Sequence, residues 1–227
     1  MQYNSWLYLF PFLGGSLILY YLLPIKRRWI GLLFSSLLFY ILTMKSLVVV
    51  VLFTTAAIYL GARVIEQFNE TFKLKKKELD RAARKELKNK TTTKIRYVIA
   101  FLCFINFGIL FVTKYFNFFG ENINALFNAL HIPAQIPFLN IFLPLGISFY
   151  TLSAISYVTD VARGVCKVER NYLRLLLFLI FFPVITEGPI SRYGQLGEEL
   201  KAEHRFDYKQ FCFGAQLITW GLFQKVL

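Results

Sequence analysis

The sequence is poor in acidic residues and in cysteine, and each shortage excludes a class of protein. Thirteen Asp and Glu stand against 26 Lys and Arg, a formal net charge of +13, which in a soluble chain would indicate a nucleic-acid partner. No basic segment precedes the first apolar run and no cleavage site follows it, so we expect no cleavable signal peptide. Three cysteines lack the spacing of a metal site and cannot form a paired disulfide framework: Cys103, Cys166 and Cys212.

Apolar residues dominate the composition. They make up 56% of the 227 residues, and aromatic residues make up 18%, with 25 Phe and 13 Tyr. Soluble domains are not this hydrophobic, whereas proteins that cross the membrane several times are. Phe and Tyr also suit helices that face lipid tails and headgroup belts. The composition therefore predicts an all-α, polytopic membrane protein, with residues 1–227 forming a single membrane domain.

Five uncharged apolar stretches of sixteen to eighteen residues follow one another along the chain. At ~1.5 Å per residue each is about 25 Å long, which spans a ~30 Å hydrocarbon core if flanking side chains snorkel or the bilayer thins. Lys45 alone separates the second stretch from the third, and together they would form a helix of about 51 Å, too long for one crossing. We therefore expect a tight helical hairpin with Lys45 at its tip. The stretches are Trp6–Leu23, Trp29–Met44, Ser46–Ala62, Tyr97–Thr113 and Leu143–Thr159.

The charged residues between these stretches alternate in a way that sets an orientation. Pro24–Arg28 carries a net +3, Arg63–Arg96 a net +7 and Arg163–Arg174 a net +3, whereas the segments on the other side are nearly neutral. The positive-inside rule then predicts a multi-pass plasma-membrane protein with its N-terminus outside. Residues 73–90 mix both signs of charge, so we expect segment 63–96 to be a solvated cytoplasmic helical segment or a contact with anionic lipid. No aromatic residue interrupts residues 73–90, which argues against nucleic acid.

The stretch FLPLGISFYTLSAISYVTDVARG, residues 142–164, carries many polar side chains for a membrane helix. Ser153, Ser156 and Asp160 are spaced by three and four residues, which places them on one stripe of a helix. The stripe is either a surface for close helix packing, with Asp160 at the cytoplasmic end, or the lining of a cavity. The polar residues are Ser148, Thr151, Ser153, Ser156, Thr159 and Asp160.

The stretch FFPVITEGPISRY, residues 181–193, does not fit an ordinary membrane helix. Leu175–Phe182 supplies only about 12 Å of apolar helix before Pro183. Proline costs roughly 3 kcal/mol inside a helix and frees a carbonyl group. Pro189 in turn pushes Gly188 away from helical angles. The helix is therefore expected to break here.

Two ionisable residues follow this break. If Glu187 and Arg192 lie at bilayer depth, they must be buried within protein, face a water-filled cavity or form an ion pair with each other. The pattern favours a wet cavity that the surrounding helices wall off from lipid. The alternative is a short interfacial helix followed by a cytoplasmic loop.

The remaining polar residues indicate surface positions. Phe118–Leu130 alternates apolar and Asn positions at helical spacing, which predicts a helix in the outer interface. His131 and His204 are expected at the surface. Asp207 suits the N-terminus of a helix over Phe211–Leu227, and that run has no glycine, proline or cap, so we expect the helix to continue in a longer protein.

Three blocks of sequence resemble those of a known family. LPLGISFYTLSAISYVTDVARG, FFPVITEGPISRY and HRFDYKQFCFGAQLITWGLFQKV occur in the order and spacing of the membrane-bound O-acyltransferase family. The similarity is greatest to the bacterial branch that contains alginate O-acetyltransferase, and a neighbouring branch that moves D-alanine onto teichoic acid has similar blocks. The resemblance covers the whole chain but about the first half of a typical member.

This resemblance implies a fold and a reaction. Members form a helical ring around a thinned centre, with a passage that joins both faces, and a histidine in a later membrane helix is regarded as catalytic. Neither His131 nor His204 matches the tryptophan-histidine-glycine context of that histidine. We therefore expect the catalytic histidine beyond Leu227, and we expect the present chain alone to be inactive.

The implied substrates lie on opposite sides of the membrane. An acyl group, expected to be acetyl, would arrive from the cytoplasm on a thioester (acyl-CoA or acyl carrier protein) and pass to a hydroxyl of a polysaccharide outside. A neutral imidazole suits the removal of that hydroxyl's proton. The resemblance implies no bound cofactor and no metal, and the expected partners are membrane lipid, the acyl donor, the polysaccharide and extracytoplasmic acyltransferase proteins.

The residues expected to serve this passage fall into two groups. Those expected to line it are Ser148, Tyr150, Glu187 and Arg192. Those expected to shape the broken helix are Pro183, Gly188 and Pro189.

Two other functions stay open at this point. Broken helices with ionisable residues also build substrate sites in transporters and channels, although no repeated pair of discontinuous helices is visible here. A catalytically inactive scaffold that only packs in the membrane is the other alternative. A later helix with an embedded histidine would favour the enzyme.

Overall fold

The computed structural model describes residues 8–44, 48–76, 80–138, 146–185, 188 and 190–226, and over these residues the protein is all-α, as predicted. No β-strand occurs in this described part of the chain, and π-helical turns cover Tyr8–Phe12 and Tyr193–Gly197. The α-helices are α1 (Leu13–Leu22), α2 (Arg28–Met44), α3 (Val48–Lys75), α4 (Arg81–Lys114), α5 (Phe116–Ala129), α6 (Ile147–Arg163), α7 (Tyr172–Ile180) and α8 (Tyr208–Val226).

The first three predicted stretches form separate helices. Trp6–Leu23 corresponds to α1 and to the π-helical turn before it, where Pro11 removes a backbone donor. α2 ends at Met44 and α3 begins at Val48, on either side of Lys45. The predicted tip of that hairpin, Lys45, lies outside the described residues.

The basic segment 63–96 forms the ends of two long helices. α3 continues past its apolar stretch to Lys75, and α4 begins at Arg81, well before its own apolar stretch. Ala, Leu, Glu and Lys are strong helix formers, so the helices continue where hydrophobicity ends. A Cβ atom on Gly61 would lie 2.4 Å from Cδ1 of Leu102, so glycine allows α3 and α4 to pack closely.

Both α3 and α4 are long and apolar enough to cross a membrane. On α4, aromatic side chains recur every three or four residues on an outward face, and Phe104 is 78% exposed. Soluble proteins rarely expose a continuous apolar surface of this kind, whereas a helix that faces lipid does. This surface agrees with the predicted membrane protein. The exposed aromatic residues are Tyr97, Phe101, Phe104, Phe107 and Phe111.

The short helix α7 lies at the centre of the core. Every residue of Leu175–Ile180 is buried. One side of α7 packs in a cluster with α3, α4 and α6, where Ile58 and Tyr157 are fully buried. The other side packs in a second cluster with α2 and the start of α6, which includes Phe39 and Tyr150. The apolar part of α7, Leu175–Ile180, is thus enclosed by other helices.

Two of the smaller sequence predictions are confirmed. α5 covers most of the predicted helix Phe118–Leu130. Asp207 caps α8, because its Oδ1 atom accepts a hydrogen bond of 2.8 Å from the backbone N–H of Lys209. Large apolar side chains of α8 remain exposed, among them Trp220 at 59%.

Candidate functional site

The chain after α7 turns back on itself and satisfies its own backbone groups. α7 ends at Ile180, three residues before Pro183, whose ring would clash with the carbonyl one turn earlier. The carbonyl of Phe181 accepts hydrogen bonds from Val184 and Ile185 at 3.0 and 3.1 Å. Helix breaks in membranes need such replacement partners, and this turn supplies them for the Phe181 carbonyl and for the N–H groups of Val184 and Ile185.

This turn is also held from outside. The backbone N–H of Phe182 donates to Oγ of Ser36 on α2 at 3.3 Å. The backbone N–H of Gly188 donates to the carbonyl of Val184 at 3.0 Å. A Cβ atom on Gly188 would lie 2.6 Å from Cγ1 of Val184, so only glycine fits this close turn.

The broken segment lies directly on the N-terminus of α6. Gly146 precedes α6 with a φ angle of +68°, in the left-handed region that favours glycine. A Cβ atom on Gly146 would lie 1.9 Å from the carbonyl oxygen of Ile185. The glycine that begins the GISFY motif therefore allows the two predicted functional segments to contact each other.

Burial alternates along the broken segment. Phe182, Ile185 and Tyr193 are buried, whereas Pro183 and Arg192 are exposed. The predicted residues Glu187 and Pro189 lie outside the described residues, and so does any pairing of Glu187 with Arg192. The helices therefore enclose the apolar part of the segment and leave the Arg192 end at the surface.

A small cavity joins the broken segment to the polar stripe of α6. Its volume is about 10 Å³, close to the lower limit for one water molecule. Tyr150 and Ser153 of α6 line this cavity, and so does Ser191 of the broken segment. Ser148 is half-buried and does not line this cavity, and neither does Arg192.

Tyr150 connects this cavity to the centre of the bundle. It is buried, and its hydroxyl lies 2.7 Å from Oγ1 of Thr54 on α3. The hydroxyl of Tyr40 on α2 is buried with no hydrogen-bond partner among the described residues. Buried hydroxyls without partners cost free energy unless water or a ligand satisfies them.

A buried carboxylate that the sequence did not indicate lies beside Tyr193, at the C-terminal end of the broken segment. Glu169, in the loop between α6 and α7, is 7% exposed. Its Oε2 atom accepts a 2.6 Å hydrogen bond from the hydroxyl of Tyr193 and lies 2.7 Å from Nζ of Lys201. Its Oε1 atom accepts a hydrogen bond of 2.9 Å from the backbone N–H of Asn171. The backbone N–H of Glu169 donates to the hydroxyl of Tyr157 on α6, also at 2.9 Å.

Aromatic packing completes this Glu169 cluster. The ring of Tyr193 lies 4.8 Å from that of Tyr157 and 5.0 Å from that of Phe178 on α7. The ammonium of Lys201 lies 4.9 Å from the centre of the Tyr193 ring. The cluster therefore fixes the end of the broken segment to both α6 and α7.

Two opposing effects set the pKa of Glu169. Burial alone would raise it, but hydrogen bonds from Lys201, Tyr193 and Asn171, with the charge of Lys201, lower the pKa below its usual range. Glu169 is therefore ionised at neutral pH. The arrangement orders the protein rather than supplying a proton to a reaction.

The two histidines lie at the surface, as expected. His131 is exposed at the end of α5, and His204 is exposed with Nε2 3.4 Å from Oε2 of Glu199. Neither lies near the cavity between α6 and the broken segment. Both positions agree with the expectation that neither histidine is the catalytic base.

Comparisons with known proteins identify the relatives of this chain. It is 30% identical over its entire length to a probable alginate O-acetylase of Pseudomonas aeruginosa, of which it spans 39%. It is 33% identical to a probable alginate O-acetylase of Pseudomonas syringae over 57% of this chain and 24% of that protein. It is also 33% identical to a teichoic acid D-alanyltransferase of Bacillus subtilis over 37% of this chain and 22% of that protein. No family model and no solved structure matches the chain.

These relatives agree with the resemblance carried by the three sequence blocks. The alignment with the Pseudomonas aeruginosa protein includes the α6 block, the broken segment and α8, because it covers the whole chain. The chain thus spans about two fifths of the length of that relative. It belongs to the membrane-bound O-acyltransferase family, in the branch that includes the alginate O-acetylases.

Proposed function

We propose that this chain is part of a membrane O-acyltransferase that moves an acyl group, acetyl in the first instance, to a hydroxyl of an extracytoplasmic polysaccharide. The observation that carries the proposal is the 30% identity over the whole chain to a probable alginate O-acetylase. The acyl donor is a thioester on the cytoplasmic side, either acyl-CoA or an acyl carrier protein. Extracytoplasmic acyltransferase proteins and the polymer are the proposed partners.

The proposed topology puts the donor and the acceptor on opposite sides of the membrane. The protein crosses the bilayer several times with its N-terminus outside, as the positive-inside rule requires for the basic segments 24–28, 63–96 and 163–174. The basic extensions of α3 and α4 then lie in the cytoplasm. A reaction between groups on opposite faces needs a passage through the protein.

The break after α7 is the proposed location of that passage. Its support is the contact between Gly146 and Ile185, the cavity beside Tyr150, and the buried hydroxyl of Tyr40 without a partner. Ser148, Tyr150, Glu187 and Arg192 would line the passage, and Arg192 would attract the anionic parts of a substrate. Pro183, Gly188 and Pro189 would keep the helix broken.

The proposed reaction is an acyl transfer from sulfur to oxygen. The acceptor hydroxyl oxygen attacks the acyl carbon, a new C–O bond forms and the C–S bond breaks. The hydroxyl proton passes to a general base, and the thiol leaves. The base is not among the residues of this chain to which we assign a role, and hydrogen-bond donors must stabilise the developing oxyanion.

D-Alanyl transfer to teichoic acid is the second candidate reaction. The 33% identity to the Bacillus subtilis D-alanyltransferase over 85 residues favours it. Both reactions join an acyl group to a polymer hydroxyl, so they differ in the acyl group and in the polymer. The shape of the passage would select between them.

Acyl transfer across membrane vesicles tests the proposal. The vesicles would contain a longer protein with this chain and the region that its relatives have beyond it. Acetyl thioester, labelled in the acetyl group, is supplied on the cytoplasmic side, and polymer-bound label that alkali releases is counted. Labelled D-alanyl thioester with teichoic acid forms the second arm. Label in either polymer supports acyl transfer and identifies the acyl group, whereas no transfer in both arms contradicts it.

A further inference from the structure

A cationic cleft lies between the basic ends of α3, α4 and α6. Its volume is about 520 Å³, and Lys88, Arg96 and Arg163 line it together with the hydroxyls of Thr91 and Thr159. None of the three cations forms an ion pair with another described residue. No carboxylate lines the cleft within the described part of the chain. The cleft therefore offers a concentrated positive charge and hydrogen-bond donors to an anion.

The acidic residues Glu66 and Glu70 of α3 and the buried Asp160 of α6 do not line this cleft. Glu66 is already engaged by Arg63 at 2.7 Å and by Arg170 at 3.4 Å. Glu66 and Glu70 line a neighbouring groove rather than this cleft. An anion in the cleft would thus meet three cations with little competition.

The cleft lies where the apolar part of α4 begins. Arg96 directly precedes the uncharged stretch Tyr97–Thr113, and the buried Ile95 forms part of the cleft. Thr159 is the last residue of the uncharged part of α6. If these stretches cross the bilayer, the cleft is at the level of the lipid headgroups.

A separate apolar groove lies further along α4, beginning at Ala100. It has a volume of about 830 Å³ and is lined by Ala100, Cys103 and Phe107, with almost no polar surface. Cys103 lies seven residues after Arg96, two helical turns along the same face. A cationic cleft above an apolar groove matches an amphiphile with an anionic head and hydrocarbon tails.

We propose that this cleft binds the phosphate of an anionic phospholipid, whose acyl chains lie along the apolar groove of α4. Lys88, Arg96 and Arg163 neutralise the phosphate, and the hydroxyl of Thr91 donates to one of its oxygens. A soluble phosphate compound would not use the apolar groove. The site does not depend on the proposed acyl transfer.

Lipid binding to the purified full chain in detergent tests this proposal. Native mass spectrometry measures the apparent affinity for phosphatidylglycerol and, separately, for phosphatidylcholine. Lys88→Gln, Arg96→Gln and Arg163→Gln remove cleft charges one at a time, and Arg96→Lys keeps the charge. Lys90→Gln is the matched control on α4, because Lys90 is exposed, pairs with Glu86 and does not line the cleft.

The site predicts tighter binding of phosphatidylglycerol than of phosphatidylcholine. Each cleft variant should weaken phosphatidylglycerol binding about fivefold, while Arg96→Lys and Lys90→Gln should keep it. Equal affinity for both lipids, or wild-type affinity in all three Gln variants, would overturn the proposal. Displacement of the lipid by millimolar inorganic phosphate would also overturn it, because the ligand would then be a soluble phosphate compound.

Discussion

The ammonium of Lys201 lies 2.7 Å from the carboxylate of Glu169 and closes a link across the broken segment. Glu169 precedes α7, whereas Lys201 follows the π-helical turn that ends the broken segment. The pair, together with Tyr193, therefore fastens the loop before α7 to the chain that follows the broken segment.

Glu169→Gln should destabilise the protein by about 2 kcal/mol. Glu169 is 7% exposed and the Lys201 side chain is 23% exposed, so loss of the carboxylate leaves a partly buried ammonium without its counterion. Glu198→Gln is the control, because Glu198 also approaches Lys201 but is 64% exposed, and it should change stability by less than about 0.5 kcal/mol. Thermal unfolding in detergent measures the stability change of each variant. Equal changes would mean that the buried pair of Glu169 and Lys201 does not stabilise the protein more than the exposed contact with Glu198.

The stability contributed by Glu169 should be lost on acidification. Its pKa in the folded protein is below the ordinary value of 4.5, so its contribution is full above that value and disappears as pH falls through the folded pKa. Tyr193→Phe removes one donor and should raise the folded pKa of Glu169. The acid-unfolding midpoint of Tyr193→Phe should therefore move to higher pH in a Glu169 background, and it should not move in a Glu169→Gln background. An identical shift in both backgrounds would contradict the link.

Gly146→Ala should cost much more stability than Gly164→Ala. Both glycines have a positive φ angle, +68° and +73°, so alanine at either position is strained by about 1–2 kcal/mol. At Gly146 the added Cβ atom would also meet the carbonyl oxygen of Ile185, whereas at Gly164 it would meet nothing within 4 Å. We expect losses of about 3–5 kcal/mol and about 1–2 kcal/mol respectively, from thermal unfolding. Equal losses would mean that the broken segment does not pack on α6.

The basic hairpin of α3 and α4 should lie in the cytoplasm. A cysteine at the exposed position Lys85 should react with a membrane-impermeant maleimide only after the cells are permeabilised. A cysteine at the exposed position Glu121, on α5, should react in intact cells. The three native cysteines are replaced by alanine in both variants. Labelling of Lys85→Cys in intact cells would reverse the proposed orientation.

The helices and the break could be predicted from the sequence because both depend on local properties. Uncharged apolar runs predicted α1, α2, α3, α4 and α6. Pro183 predicted the end of α7, which the structure places at Ile180. Asp207 predicted the start of α8 because a cap depends on residues two or three positions away.

The Glu169 cluster could not be predicted in the same way. Glu169 is a lone acid in the basic segment Arg163–Arg174, and in a charge count it only lowers the total. Its hydrogen bond to Tyr193 joins residues 24 positions apart, a pairing that depends on how the broken segment folds back. The contact of Gly146 with Ile185 could not be predicted from the sequence for the same reason. Both relationships become visible only when the packing of α6 on α7 is known.

The most direct test of the proposed passage is acyl transfer by an Arg192→Ala variant of the longer protein. If the broken segment forms a passage for substrate, this variant should transfer acyl groups poorly. Arg205→Ala is the matched control, since Arg205 is exposed in the loop before α8 and has no assigned role. Membrane vesicles with equal amounts of each inserted protein are compared for transfer of labelled acetyl groups to polysaccharide. We predict that Arg192→Ala loses at least about a hundredfold in rate, roughly 2.7 kcal/mol, while Arg205→Ala keeps the wild-type rate. A wild-type rate in Arg192→Ala would contradict the passage.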